Sequence, residues 1–339
     1  MRFATMPNRI RVSLGSAVVL GLIQGNVDIM PTTIYLMTYH PGKCDANCAF
    51  CPQARNSRGK AGMLSRVTWP SFPMRDVVSG VRMISRSGLV KRLCIQAVNY
   101  DGVYQDLIGL VTEFGECTDA PISVCCQPLN ATQIGELAQA DIDRVCFAVD
   151  AATRELFDKV KGRDVGGPYV WDEHFEALKT AVKTLGRGRV STHIIVSLGE
   201  TDEEMVYLIQ ELVDVGVYPG LFAFTPVPGT MLHDRPQPSL RRYRRIQIAH
   251  YLITRGKARV ENMLFADGGE IIGFGVSSGE LKRIIETGEP FMTSGCPGCN
   301  RPFYNERPGG PIYNYPRRLL REDVLTAMSE AELGGAIGE

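Results

Sequence analysis

The 339-residue chain carries no net charge, 37 lysines and arginines being matched by 37 aspartates and glutamates. A broad basic field that would favour nucleic acid or an anionic membrane is thereby excluded. No basic-then-apolar leader opens the chain, so a secretory route is not expected. No apolar run is long enough to span a bilayer. Residues 17–23 come nearest, but the run is far too short and has polar flanks. It reads as part of an amphipathic or buried N-terminal helix within 1–29. Internal repeats and low-complexity linkers are absent, which leaves one domain with a C-terminal extension. The histidines other than His193 stand at no ligand spacing and are expected at the surface or in the core.

What the chain does have is a 44% hydrophobic content, enough for a full core, and ten cysteines. Strand-like and helix-like stretches alternate. Strands are expected over 33–38, 89–98, 122–126, 144–149, 190–198 and 221–225. Helices are expected over 69–85, 104–114, 131–140, 171–185, 203–215 and 240–255. A seventh β-prone run covers 259–265. Repeated βα units imply a parallel sheet with helices outside it, as a partial (β/α)6 or closed (β/α)8 barrel over 30–290. Sites in such barrels lie at the C-terminal strand ends. The tail, 291–339, opens with a Pro-, Gly-, Asn- and Tyr-rich loop over 294–316 and could close with a helix over 319–333.

The cysteines are patterned. Cys44-Asp45-Ala46-Asn47-Cys48-Ala49-Phe50-Cys51 spaces three thiols by three residues and then two, with an aromatic before the last. That spacing suits one short loop around one cluster. Three thiolates on a 4Fe-4S cluster leave the fourth iron open to a chelating cofactor such as S-adenosylmethionine (SAM). The spacing differs from four-cysteine ferredoxin patterns and from paired zinc ribbons; a zinc knuckle is the bland alternative. Ten cysteines set in a cluster motif also point to a reducing cytoplasm.

The loop Cys44–Gln53 and the runs after it resemble the radical-SAM enzymes, and within them biotin synthase and its relatives. Arg92-Leu93-Cys94-Ile95-Gln96-Ala97 resembles that family's second strand, and Cys125-Cys126-Gln127-Pro128-Leu129 its third. Val145-Cys146-Phe147-Ala148-Val149-Asp150 resembles the fourth strand, His193–Thr201 the fifth-strand GxIxGxxE motif, and Thr225–Thr230 the sixth-strand exit. The resemblance implies a radical-SAM (β/α) barrel with a 4Fe-4S cluster on Cys44, Cys48 and Cys51. It places Ala97 and Asn99 beside the methionyl end of SAM, although the family's glycine-rich sequence is missing there. It puts Ile195 against adenine, Phe50 beside adenine or cluster, and Asp150 at a ribose hydroxyl or the substrate. Simple loop packing for Phe50 and helix capping for Asp150 are the alternatives. Glu200 is expected to brace the strand end. His193 and Ser197 replace the two motif glycines.

Biotin synthase holds a second, sacrificial cluster on cysteines of three inner strands and an arginine. Here Ser191 stands at the third of those cysteine positions, while Cys296-Pro297-Gly298-Cys299 adds a CxxC that the family lacks. Cys296 and Cys299 with one barrel cysteine would supply three thiolates for an auxiliary 4Fe-4S cluster. Cys126 is preferred as the third ligand for its place near the strand's C-terminal end, with Cys94 competing and Cys125 a further candidate. Neighbours Cys125 and Cys126 cannot both face the barrel interior. The tail Cys296–Arg317 resembles that of the two-protein lipoyl synthases. That resemblance implies sulfur insertion into an octanoyl-lysyl carrier protein, a second radical-SAM partner and an electron donor such as ferredoxin or flavodoxin. The tail tyrosines Tyr304, Tyr313 and Tyr315 would serve a carrier-docking surface or merely pack the tail. Alternatives are a biotin synthase-like or other radical-SAM enzyme, a non-catalytic Fe–S electron carrier, and a zinc-stabilised (β/α) protein.

Overall fold

The computed structural model describes residues 7–334; the outermost residues of the expected terminal segments, 1–6 and 335–339, lie outside it. Six parallel strands form the frame: Thr33–Thr38, Arg92–Gln96, Ile122–Cys126, Arg144–Phe147, Val190–Val196 and Tyr218–Ala223, hydrogen-bonded in that order. We call them barrel strands one to six. Helices Met74–Ser85, Val103–Gly115, Ala131–Gln139, Trp171–Leu185 and Asp202–Asp214 connect them, and Leu240–Thr254 comes after the sixth. This is a partial (β/α)6 barrel. Buried side chains such as Leu93, Val124, Phe147 and Ile194 pack its strands into one core. Among the described residues no helix is long and apolar enough to cross a membrane.

The chain beyond the sixth unit rules out the closed eight-unit alternative. The seventh β-prone run becomes a 3-10 turn, Val260–Asn262, and a two-residue strand, Leu264–Phe265, paired antiparallel with Ile271–Gly273. Asp267-Gly268-Gly269 reverses the chain there, and Gly269 takes φ +75° with its Cα packed so near Thr201 that a Cβ would lie 2.8 Å from it. The run therefore hairpins instead of joining the sheet.

The N-terminal segment also differs from the expected helix. Arg9–Val12 is a strand, antiparallel to the first barrel strand and to Ser71–Pro73, and only Leu14–Val19 is helical. Arg9-Ile10-Arg11-Val12 alternates with period two, Ile10 and Val12 being fully buried, which is strand patterning. Gly21 at φ +70° comes after the short helix. The helix expected from residue 69 begins only at Met74, because Pro70 and Pro73 hold the preceding residues extended. Two further helices, Arg154–Val160 and Ser278–Glu286, lie outside the expected ranges.

The tail closes the open side of the barrel. On the first-strand side, the Thr32 amide donates to Asn300 Oδ1 (3.0 Å), the Thr32 hydroxyl to the Gly298 carbonyl (2.6 Å) and the Arg301 amide to the Tyr35 hydroxyl (3.0 Å). On the sixth-strand side, the Leu221 amide donates to Ser294 Oγ (2.8 Å) and Arg301 donates to the Leu221 carbonyl (3.2 Å). Residues 294–301 thus bridge the seam between the two edges. The rest of the tail is anchored by Arg244, which is fully buried. It donates to the carbonyls of Ile312 and Tyr313 and pairs with Glu330 of the closing helix Arg321–Ala331. Tyr313 and Tyr315 are buried, Tyr313 donating to the Pro238 carbonyl. They pack the tail and offer no docking surface.

Candidate active site and metal centres

Two adjoining cavities lie inside the barrel. The first, about 220 Å³, is lined by Cys44, Cys48, Cys51, Phe50, Ala97, Asn99, Asp150 and Ile195, so every residue expected at the first cluster and at SAM faces one space. The cysteine loop is fastened from several elements. The Cys44 amide donates to the Gln53 carbonyl, that of Cys51 to Cys48, and that of Asp45 to Asn99 just beyond the second strand. The Ala49 amide donates to the Val160 carbonyl at the end of helix Arg154–Val160. The Asn99 amide points at Cys44 Sγ (3.3 Å). Burial pushes all three thiols upward, Cys51 to about 12, while the Lys161 ammonium opposes this at Cys44 and Cys48. Metal loading would therefore release protons from these thiols.

Asp150 is not a helix cap. Thr153 caps Arg154–Val160, its hydroxyl accepting from the Leu156 amide. Asp150 instead sits at φ +66° and accepts from Lys161 Nζ at 2.6 Å. Lys161 also donates to the Ala148 carbonyl and lies 5.0 Å from the Tyr169 ring centroid. Burial alone would lower its pKa, but Asp150 together with the nearby Cys48 and Cys125 raises it. A left-handed non-glycine residue at a strand end, clamped by a buried ion pair, is the kind of strained position found at functional sites. Glu200 braces the fifth-strand exit: it accepts from the amides of Ser197 (2.7 Å), Leu198 and Gly199 (both 3.0 Å) and pairs with Arg242. Ser197 keeps φ +83°, the conformation a glycine would favour there.

Sequence reasoning missed Lys161, Tyr169 and Gln127 in this cavity. The Gln127 side-chain Oε1 is buried in the wall without a partner, which suits a residue that meets a polar ligand. Its signal was its place just after the paired cysteines of the third strand.

The second cavity, about 410 Å³, is lined by Cys94, Cys296 and Cys299. Tyr35 Oη lies 3.2 Å from Cys299 Sγ, Ser123 Oγ 3.5 Å from Cys296 Sγ, and Gln96 donates to Cys94 Sγ at 3.0 Å. Cys126 is not with them. Cys125 faces inward to His193, whereas its neighbour Cys126 borders the first cavity and belongs to the hydrophobic core. Height along the strand favoured Cys126; side-chain alternation favours Cys94. Leu64, Gln96, His193, Phe222 and Tyr304 line both cavities and form the partition between them.

The donor geometry bears on what these thiols fit. Three thiolates on one tetrahedral ion with bonds of about 2.3 Å sit about 3.8 Å apart. Neither Cys44, Cys48 and Cys51 nor Cys94, Cys296 and Cys299 come within 4.8 Å of one another as a set; among the described residues Cys125, Cys146 and His193 do. Both cysteine trios are thus more open than a single tetrahedral ion requires.

The family model for the Radical SAM superfamily matches residues 38–212. Biotin synthase of Cutibacterium acnes is 24% identical over 64% of this chain, which spans 59% of that protein's length. Biotin synthase of Xanthomonas campestris pv. campestris (strain B100) is 25% identical over 78% of this chain and 74% of its own. Among solved structures, methylornithine synthase (PylB) superposes with a TM-score of 0.52 at 14% identity, covering 66% of this chain and 62% of that one. The [FeFe]-hydrogenase maturase HydG also gives 0.52, at 15% identity and 66% and 50% coverage. These structural likenesses bear on the fold.

Proposed function

The chain belongs to the radical SAM superfamily, and from that premise we propose that it inserts sulfur into an unactivated C–H bond, as one of two sulfurations of an octanoyl-lysyl carrier protein. Family membership implies a 4Fe-4S cluster and SAM in the first cavity. When bound, they supply a 5′-deoxyadenosyl radical able to abstract hydrogen from carbon. Cys44, Cys48 and Cys51 would hold the cluster, and Asp150, Ile195, Phe50 and the backbone near Asn99 would orient SAM. Gln127 offers a lone acceptor in the cavity wall.

One observation carries the finer reading: a cysteine trio from the tail and the second strand borders a second cavity that shares a wall with the first. A cluster held by Cys94, Cys296 and Cys299 would be the sulfur-donating substrate, separated from the radical source by the wall of Leu64, Gln96, His193, Phe222 and Tyr304. A cavity of about 410 Å³ also falls in the range of small-ligand sites. In this reading a second radical-SAM protein supplies the other sulfur, and ferredoxin or flavodoxin supplies electrons.

Similarity to biotin synthase supports a second reading, sulfur insertion into a small molecule. Ser191 counts against it, since its hydroxyl faces the Val145 carbonyl (3.4 Å) where that family has a cysteine. The test is anaerobic turnover with SAM, reductant and an octanoyl-lysyl peptide, with and without the cognate partner, read by mass spectrometry. At most one sulfur is expected from this chain alone and two with the partner. Two from this chain alone would overturn the split-enzyme reading, and efficient turnover of dethiobiotin would favour the second.

A further inference from the structure

Cys125 of the third strand, Cys146 of the fourth and His193 of the fifth lie outside the two cysteine trios described above. The geometry points to a mononuclear metal site formed by Cys125, Cys146 and His193, suited to a thiophilic divalent cation such as zinc or ferrous iron. Strand register brings the three together. Cys125 lies opposite Cys146, and Cys146 opposite Ser191. His193 is two residues beyond Ser191 and so shares its face, one pleat nearer the C-terminal strand ends.

The three ligand atoms lie within 4.8 Å of one another, with Cys125 Sγ 4.0 Å from His193 Nδ1. Metal–sulfur bonds of about 2.3 Å and a metal–nitrogen bond of about 2.0 Å would require separations of about 3.6–3.8 Å. A small rotation of each side chain reaches that. No residue of the set belongs to either cysteine trio. Two thiolates and one neutral imidazole around a divalent ion sum to zero charge, which lowers the cost of burying the ion. Sulfur and imidazole donors select zinc or ferrous iron over magnesium or calcium, which seek oxygen.

The fourth position has a direction. Cys125 and His193 line the first cavity, whereas Cys146, 5% exposed, lies behind them. An ion held by all three would present its open position to that cavity, the arrangement of three protein ligands plus one exchangeable ligand seen in catalytic zinc sites. Water, or an anionic or thiolate group of a bound ligand, would complete it. His193 packs against Phe222, their ring centroids 4.7 Å apart and the planes tilted by 57°. The proposal is independent of the sulfur-insertion reading, because it concerns a different ligand set.

The experiment uses the full chain with its iron–sulfur clusters reconstituted anaerobically, then given zinc and desalted. Zinc and iron are counted by elemental analysis, and the zinc shell is read by zinc K-edge X-ray absorption. The expected result is one zinc per chain with two sulfurs at about 2.3 Å and a nitrogen at about 2.0 Å. Cys146→Ser and His193→Gln should each reduce retained zinc about tenfold or more with iron unchanged, which also shows that the variants fold. His193→Cys should keep zinc with a three-sulfur shell, and Cys299→Ser should leave zinc as it was. Failure of the unaltered chain to hold zinc above the Cys146→Ser level would overturn the proposal. So would zinc that moves with Cys299, or iron lost in both Cys146→Ser and His193→Gln, which would make these residues cluster ligands.

Discussion

Replacing Lys161 by methionine should be among the most damaging single changes in the chain. Its ammonium and the Asp150 carboxylate are 2.6 Å apart, with side chains only 7% and 9% exposed. Removing one partner leaves a carboxylate in a dry wall, which costs about 3–5 kcal/mol when a buried pair is broken. The lost contact with the Tyr169 ring adds about 0.5–2 kcal/mol. Methionine fills similar volume, so little of the loss is cavity. Asp150→Asn leaves the lysine unpaired and should cost a similar amount. The double variant removes both charges and should cost no more than either single one. Urea unfolding of the metal-free protein measures the cycle, and the expected coupling is about 3 kcal/mol. Single-variant losses below about 1 kcal/mol that simply add would refute the claim that this pair clamps the fourth-strand exit.

Ser197→Gly should raise stability by about 0.5–1 kcal/mol, since relief of a side chain held at φ +83° outweighs glycine's extra chain entropy; a loss in thermal melting would contradict this. Burial lowers the pKa of His174 to about 3 and that of His250 to about 4, so both stay neutral in the fold while the unfolded chain protonates them below about 6.5. Their contribution is therefore intact above about pH 6.5 and is lost as pH falls from there toward the folded values. Unfolding at about pH 5.5 should show about 1.4 kcal/mol less stability per histidine than near pH 7.5, and His174→Phe should flatten the dependence. Replacing Cys44, Cys48 and Cys51 together by alanine should remove about half of the iron and all SAM cleavage, since the open-iron cluster would be gone; undiminished 5′-deoxyadenosine would contradict the first-cavity assignment.

The barrel was legible because its elements depend on local pattern. Thr33–Thr38, Ile122–Cys126 and Trp171–Leu185 occur with the bounds their apolar spacing predicts. The first-cluster loop was legible because its three ligands are neighbours in sequence. What escaped was assembled from distant strands. Lys161 reaches Asp150 only because the short helix Arg154–Val160 turns back over the fourth strand. His193 has no ligand spacing along the chain, yet register sets it beside Cys125 and Cys146. The choice between Cys94 and Cys126 turned on which face each residue presents and on where the tail crosses the seam. Neither is written in local sequence. The antiparallel strand Arg9–Val12 was too short for its period-two pattern to compete with the apolar run after it.

The central claim is that two cysteine-bounded cavities divide the work, one generating the radical and the other giving up sulfur. The most direct test is single-turnover chemistry on Cys296→Ala/Cys299→Ala protein reconstituted beside the unaltered chain, with 5′-deoxyadenosine and sulfur-containing product quantified from the same reaction. The predicted result is that 5′-deoxyadenosine formation persists, that iron falls by about one cluster's worth and that no sulfur is added to the peptide. Full iron content with undiminished sulfur addition would contradict it.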